Sequence, residues 1–418
     1  MERFITADLD FIGNVVADYS TQLNGESVSN NISNKGCYKQ LKQVQCKASA
    51  QPSQLVLTMV SIDIECSMEG ELFSIGLYCA KKNPKSKQAV TLEAVIMIGE
   101  AENSDKDYIL WVSDERALLR EFIVQIANID PDIIIGWNVI NFDFRVLQRR
   151  YDKYGMPFIV GRDSSTPRWR HNKNSPEQHF IDIAGRVVLD GIDLLKTATF
   201  SFRSFSLDNV ANELLGIGKK VTNVDNRIEE IVYNFFHNKQ ALAAYNLEDC
   251  RLVWLIFEKT RLLEFAQLRA QLTGLSIDRI GGSVAAFTNL YLPKLHRNGY
   301  VAPNMGDGSS GLVSPGGYVM DSIPGLYSNV LVLDFKSLYP SIIRTFKVDP
   351  MGLIEGLKEH SELIANSGDS QLTERKPIAG FDGAYFSREK NFLPVIIESL
   401  WLERDKAKQQ KNAALSQA

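Results

Sequence analysis

No run of about 18 apolar residues occurs in the 418-residue chain, so no segment is long enough to cross a bilayer as a helix. Residues 1–10 carry Glu2, Arg3 and Asp8 where a secretory signal would need an apolar stretch, and a cytoplasmic protein with no membrane partner is expected. Cysteine is scarce and unpatterned. The five (Cys37, Cys46, Cys66, Cys79 and Cys250) form no Cys-x-x-Cys pair and are odd in number, which argues against a disulfide framework or a zinc site and for free thiols. Basic excess is missing too: the net charge of -4 gives no global nucleic-acid signature. It does not exclude one, because proteins that hold metals on carboxylates can be acidic overall and still carry basic surfaces. Two clusters qualify, Arg145, Arg149, Arg150 and Lys153, then Arg404, Lys406, Lys408 and Lys411; the alternative for each is a solvated helix face.

What the chain does have is Ser61-Ile62-Asp63-Ile64-Glu65. Residues 55–65 are rich in β-branched and aliphatic side chains and read as a buried strand, yet end on two carboxylates. Residues i and i+2 of a strand share a face, so Asp63 and Glu65 project together and Ile62 and Ile64 enter the opposite side. Two like charges about 4 Å apart repel by roughly 4 kcal/mol at an effective dielectric near 20. A divalent cation removes that cost; the alternative is that Glu65 turns into solvent at the strand end.

The length suits two or three domains. Residues 1–54 are polar and weakly periodic and read as the remnant of an N-terminal domain. From residue 55 strands alternate with helices: strands at 72–80 and 91–98, a helix at 114–126 capped by Ser113 or Asp114, a short apolar strand at 132–136, and helical spacing at 142–154. Residues 161–175 read as a charged loop, 186–190 as a strand, 206–215 as a helix closed by Gly216, and 241–271 as one long helix. A mixed sheet flanked by helices is expected over 55–272. Residues 273–328 read as a glycine-containing connector. In 329–418, residues 329–335 read as an apolar strand, 359–380 as a polar insertion and 394–411 as a helix.

Asn138 and Asp143 follow the strand at 132–136, at the sheet end where ligands of α/β folds commonly bind. Asp143 alternatively serves only the helix N-terminus. Tyr245 and Asp249 are i and i+4, on one helix face, and also fit an ordinary surface pair. In order, the chain shows Asp-x-Glu on a strand, Asn-x4-Asp after a second strand, and Tyr-x3-Asp on a later helix. This resembles the three exonuclease motifs of the proofreading domain of family B DNA polymerases, which has an RNase H-like fold. The resemblance implies that Asp63, Glu65 and Asp249 hold metal, that Asp143 holds a second ion partly through water, and that Tyr245 aims the attacking water. Asn138 would position the terminal nucleotide or its loop. Phe142 would stack on an unpaired base or, alternatively, belong to the core. Phosphodiester hydrolysis needs a hydroxide near neutral pH and charge stabilisation on both the attacking and leaving oxygens, and two divalent ions supply both. Oxygen ligands suit two Mg2+ or Mn2+ ions.

The second half extends the resemblance. Gly316-Gly317-Tyr318 is similar to the segment joining exonuclease and polymerase regions, where small residues let a sugar-phosphate backbone approach; a plain Gly-Gly turn is the alternative. Residues 330–343, with Asp334 and Tyr339, resemble the first palm motif, which implies that Asp334 binds catalytic metal and Tyr339 closes the sugar pocket against a ribose 2′-hydroxyl. Arg404 and Lys408, i and i+4, resemble the fingers pair that grips a triphosphate. The second fingers motif Lys-x3-Asn-x-x-Tyr-Gly and the palm Asp-Thr-Asp do not occur. The expectation is thus an internal portion of a bacterial family B polymerase: a complete 3′-5′ exonuclease domain, then a partial α+β palm and fingers with no nucleotide addition of its own. The implied partners are DNA, as a single-stranded 3′ end or primer-template, and a sliding clamp; a deoxynucleoside triphosphate would bind only a completed polymerase site. A non-catalytic DNA-binding fragment and an RNase H-like nuclease acting on RNA are the alternatives.

Overall fold

The computed structural model describes residues 15–16, 47–48, 57–82, 89–101, 106–172, 175–217, 227–279, 282–304, 320–365 and 376–409. The chain divides into two compact units between residues 281 and 282. In the first, Val15–Val16 (β1) pairs antiparallel with Lys47–Ala48 (β2). Then follow Met59–Cys66 (β3), Leu72–Lys82 (β4), Ala89–Ile98 (β5), Ile109–Val112 (β6), Glu115–Ile129 (α1), Ile133–Gly136 (β7) and Asp143–Lys153 (α2). Next come Arg168–Asn172 (β8), Ser175–Asp182 (β9), Val187–Asp190 (β10), Gly191–Thr197 (α3), Leu207–Leu215 (α4), Arg227–His237 (α5), Lys239–Thr260 (α6) and Leu262–Thr273 (α7).

Six strands form one mixed sheet in the order β10-β7-β3-β4-β5-β6. The strand β3 lies inside it, parallel to β7 and antiparallel to β4, with Asp63 opposite Gly76 and Glu65 opposite Ser74. Its alternation sorts the two faces. Ile62 and Ile64 join a core with Leu118, Phe122, Phe144 and Leu147, so α1 and α2 cover that side. The Asp63 side is covered by α6, where the Trp254 ring meets Tyr78 edge-on at 5.6 Å. Asp114 caps α1 by accepting from the Ala117 N–H at 2.8 Å, as expected of an aspartate before an apolar periodic run.

Several elements depart from the sequence reading. The charged stretch at 161–175 contains β8, which pairs antiparallel with β9; cross-strand pairing of Arg170 to both oxygens of Asp182, at 2.9 and 3.0 Å, replaces the apolar alternation that marks a strand. The helix expected over 241–271 breaks at Arg261, whose φ of 57° is left-handed and whose N–H reaches back to the α6 carbonyls. Arg150 belongs to no basic surface: it is buried and pairs through Nε with Glu115 Oε1 at 2.6 Å.

The second unit contains Ser283–Arg297 (α8), Leu338–Phe346 (α9), Pro350–Ala365 (α10), Ile378–Ala379 (β11) paired with Tyr385–Phe386 (β12), and Leu393–Gln409 (α11). Its buried cluster is small, with Tyr291, Leu295 and Met351 at the centre. The Asp349 carboxylate joins three segments, accepting from Tyr291 Oη at 3.0 Å, the Gly352 N–H at 2.7 Å and the Leu393 N–H at 2.8 Å. The strand expected at 329–335 does not form: those residues pair with no strand among the described residues, and Leu331 and Leu333 are 78% and 82% exposed. The polar insertion expected at 359–380 begins inside α10. Cys66, Cys79 and Cys250 are free thiols, and Cys37 and Cys46 lie outside the described residues. No described helix is long and apolar enough to cross a membrane.

Candidate metal centre

Strand alternation turns Asp63 and Glu65 to the face that α6 covers, and Asp249 arrives from that helix. One ligand atom from each of the three carboxylates lies within 4.8 Å of the others. Glu65 and Asp249 are buried, at 5% and 2% exposure, and Asp63 is partly buried. At that separation each like-charged pair costs roughly 3 to 4 kcal/mol at an effective dielectric near 20. Oxygen-only donors converging from segments nearly 190 positions apart are the set that a hard divalent cation takes.

Asp143 is the first residue of α2 and only 2% exposed. Its Oδ1 accepts from the Ile64 N–H on β3 at 3.1 Å, which fastens the helix start to the strand bearing the carboxylates. Burial raises its carboxyl well above the usual range, and the Asp63 charge pushes the same way. The neighbouring thiols register the same field. Burial, then Glu65, Asp143 and Asp63, pushes Cys66 up to about 12, and burial followed by Asp63 and Asp249 raises Cys250. Burial and the surrounding carboxylates thus disfavour both thiolates.

The carboxylates open on a cleft of about 490 Å³, whose lining runs from Asp63, Glu65, Asp143 and Asp249 to Trp137 and Phe142. Phe142 is 45% exposed, so the core alternative for this ring does not hold. Asn138 is exposed and left-handed, φ 58°, and its carbonyl accepts from the Phe142 N–H at 2.9 Å, closing the turn that presents the ring. Tyr245 sits one helical turn before Asp249, half-buried, and is not part of the cleft lining.

The other predicted residues stand elsewhere. Asp334, Tyr339, Arg404 and Lys408 are exposed in the second unit, the last two on α11. Asp334 joins no group of three metal-ligating side chains among the described residues. Gly316, Gly317 and Tyr318 lie outside the described residues.

Two polar residues escaped the sequence reading. Asn246 is fully buried and donates from Nδ2 to Asp63 Oδ2 at 2.7 Å. Its signal was an amide on the apolar stripe of α6 that also carries Ala243 and Cys250, three positions before Asp249. Asp190 ends β10, caps α3 by accepting from the Ile192 N–H at 2.9 Å, and is pushed up to about 7 by burial and then by the Asp193 charge. A short apolar strand ending in an aspartate was the available signal.

Comparison with known proteins follows the same division. Residues 19–210 match the exonuclease domain of DNA polymerase family B, and residues 281–417 match DNA polymerase family B. DNA polymerase II of Escherichia coli (strain K12) is 48% identical over 367 residues, covering 87% of this chain and 44% of that relative. The DNA polymerase of Desulfurococcus sp. (strain Tok) is 28% identical over 378 residues, covering 86% of this chain and 44% of its own length. The chain thus spans less than half of either relative. Among solved structures, the family B DNA polymerase of Pyrobaculum calidifontis aligns with a TM-score of 0.60 at 20% identity, over 90% of this chain and 46% of that one, a likeness of fold. With one match on each side of the division at residue 281, the chain belongs to family B of the DNA polymerases.

Proposed function

We propose that this chain is a 3′-5′ exodeoxyribonuclease that hydrolyses the 3′-terminal phosphodiester of DNA in the cleft built on β3, α2 and α6. The observation that carries the reading is the convergence of the Asp63, Glu65 and Asp249 ligand atoms within 4.8 Å of one another. Those three residues, with Asp143, would hold two Mg2+ or Mn2+ ions. Such ions lower the cost of ionising water and neutralise charge on the attacking and leaving oxygens. The chain's own groups do the rest. Phe142, exposed beside the carboxylates, stacks on the terminal base, and the Asn138 turn holds that ring at the mouth of the cleft. Tyr245, one helical turn before Asp249 but outside the cleft lining, would aim the water only by reaching the carboxylates from that flank. The water oxygen bonds to phosphorus, the bond from phosphorus to the 3′-oxygen of the preceding nucleotide breaks, and that oxygen takes a proton. A 5′-mononucleotide leaves, and the shortened strand keeps a 3′-hydroxyl.

The second unit carries candidates for a separate task. Arg404 and Lys408, exposed one turn apart on α11, suit the phosphates of a deoxynucleoside triphosphate. Asp334 joins no group of three metal-ligating side chains among the described residues, so hydrolysis is the activity we assign to this chain.

The test is mononucleotide release from a single strand labelled at its 3′ end, for the parent and for Asp63→Ala with Glu65→Ala. The parent should release nucleotide in magnesium and the double variant should not, while both show the same far-ultraviolet circular dichroism. A folded parent without activity would make this a DNA-binding fragment without turnover. Faster cleavage of an RNA strand of the same sequence would move the substrate class to RNA.

A further inference from the structure

Asn246 is an unusual side chain to find fully buried in a helix face. Ser74 Oγ donates to its Oδ1 at 3.1 Å, and its Nδ2 donates to Asp63 Oδ2 at 2.7 Å. Both ends of the amide are therefore used. A carboxylate only accepts, so the amide NH2 faces Asp63, and the amide oxygen is left to accept from the Ser74 hydroxyl, which anchors that end. The backbone makes room for this arrangement at Gly76, opposite Asp63 on β4: a Cβ there would stand 3.0 Å from Asn246 Oδ1 and 2.9 Å from Cys250 Sγ. A buried donor aimed at a carboxylate holds the carboxylate plane in one orientation, which reduces what a cation must reorganise on binding.

We propose that Asn246, oriented by Ser74, is the positioning residue of the metal centre. It holds the Asp63 carboxylate in one orientation before any cation arrives. The inference rests on the exonuclease reading for what the centre does, but metal affinity tests it separately from turnover. Mn2+ binding is measured by calorimetry on the whole chain, alongside the Mn2+ concentration giving half-maximal nucleotide release. Asn246→Ala should weaken Mn2+ binding about tenfold to a hundredfold, the range for residues that orient metal ligands, and raise the half-maximal concentration in step. Ser74→Ala should shift both in the same direction by less. The double variant should lose no more than Asn246→Ala alone, because the hydroxyl works through the amide.

A folded Asn246→Ala with parental Mn2+ affinity would overturn the proposal, even if its thermal midpoint fell, since that is what packing alone gives. Losses that add in the double variant would overturn the part given to Ser74. Should Asn246→Ala fail to fold, Ser74→Ala decides: unchanged Mn2+ affinity there counts against the proposal. A parent that binds Mn2+ in an Asn246-dependent way but releases no nucleotide would contradict the exonuclease reading and leave this inference standing.

Discussion

Phe142 is a large ring left 45% exposed beside four carboxylates, on a turn held by a left-handed Asn138. Removing an exposed ring costs little stability, within about 0.5 kcal/mol. Losing a base-stacking platform costs roughly 1 to 3 kcal/mol of binding, or about fivefold to more than a hundredfold in affinity. Phe142→Ala should therefore unfold at the parental denaturant midpoint while its KM for single-stranded DNA rises within that range; steady-state kinetics beside a urea curve checks both. The sequence could not decide between core and surface for this ring, because either fits an aromatic residue between Asn141 and Asp143. The carboxylates were easier to read. Asp63 and Glu65 break an apolar strand and Asp143 follows another, so each violates the local pattern. Asn246 was harder to read: an amide on the apolar stripe of a helix assigns no role until the strand opposite is known.

Packing between elements determines whether the three carboxylates meet at all. Asp63 and Glu65 ride on β3 and Asp249 on α6, so the distance between helix and sheet sets the centre, and at Gly76 the α6 side chains leave no room for a Cβ. Gly76→Ala forces a methyl to within 2.9 Å of Cys250 Sγ and 3.0 Å of Asn246 Oδ1. Overpacking of this kind costs about 1 to 3 kcal/mol, and nucleotide release should fall at temperatures where the variant is still folded. Adding Cys250→Ala should recover part of the stability, which chemical denaturation of the single and double variants would show. Elements with strong apolar periodicity were legible, including β3, β4, β5, α1 and α2. The failures have physical causes. The helix stops at Arg261 without glycine or proline, the β8 hairpin is held by charge pairs, and residues 329–335 have strand composition but no neighbouring strand among the described residues.

At the scale of the whole molecule, the two units are held by different chemistry. The first has the extensive apolar core under its sheet, whereas the second leans on buried polar anchors such as Asp349 and Glu355. Hydrogen bonds from Lys358, Lys390 and Tyr300 hold the Glu355 carboxyl down at about 2, against an ordinary value of 4.5. A carboxyl depressed by folding stabilises the folded state in full above its unfolded pKa and loses that contribution as pH falls through the folded one. Glu355→Gln should thus be clearly less stable than the parent at pH 7, and the gap should close between about pH 4.5 and pH 2. Thermal midpoints of both proteins across that range measure it. In the sequence the Asp-x-Glu, Asn-x4-Asp and Tyr-x3-Asp pattern ends at Asp249 and the palm-like pattern begins near 330, and the boundary between the two compact units, at residue 281, falls between them. The most direct test of the account is a stepwise one: follow a strand labelled at its 5′ end after chelation, then after Mg2+ is returned. The account predicts an inert protein in chelator and, on addition of Mg2+, a ladder of products each one nucleotide shorter at the 3′ end, absent in Asp63→Ala with Glu65→Ala. Shortening that persists in chelator, or a ladder that survives the double substitution, would contradict it.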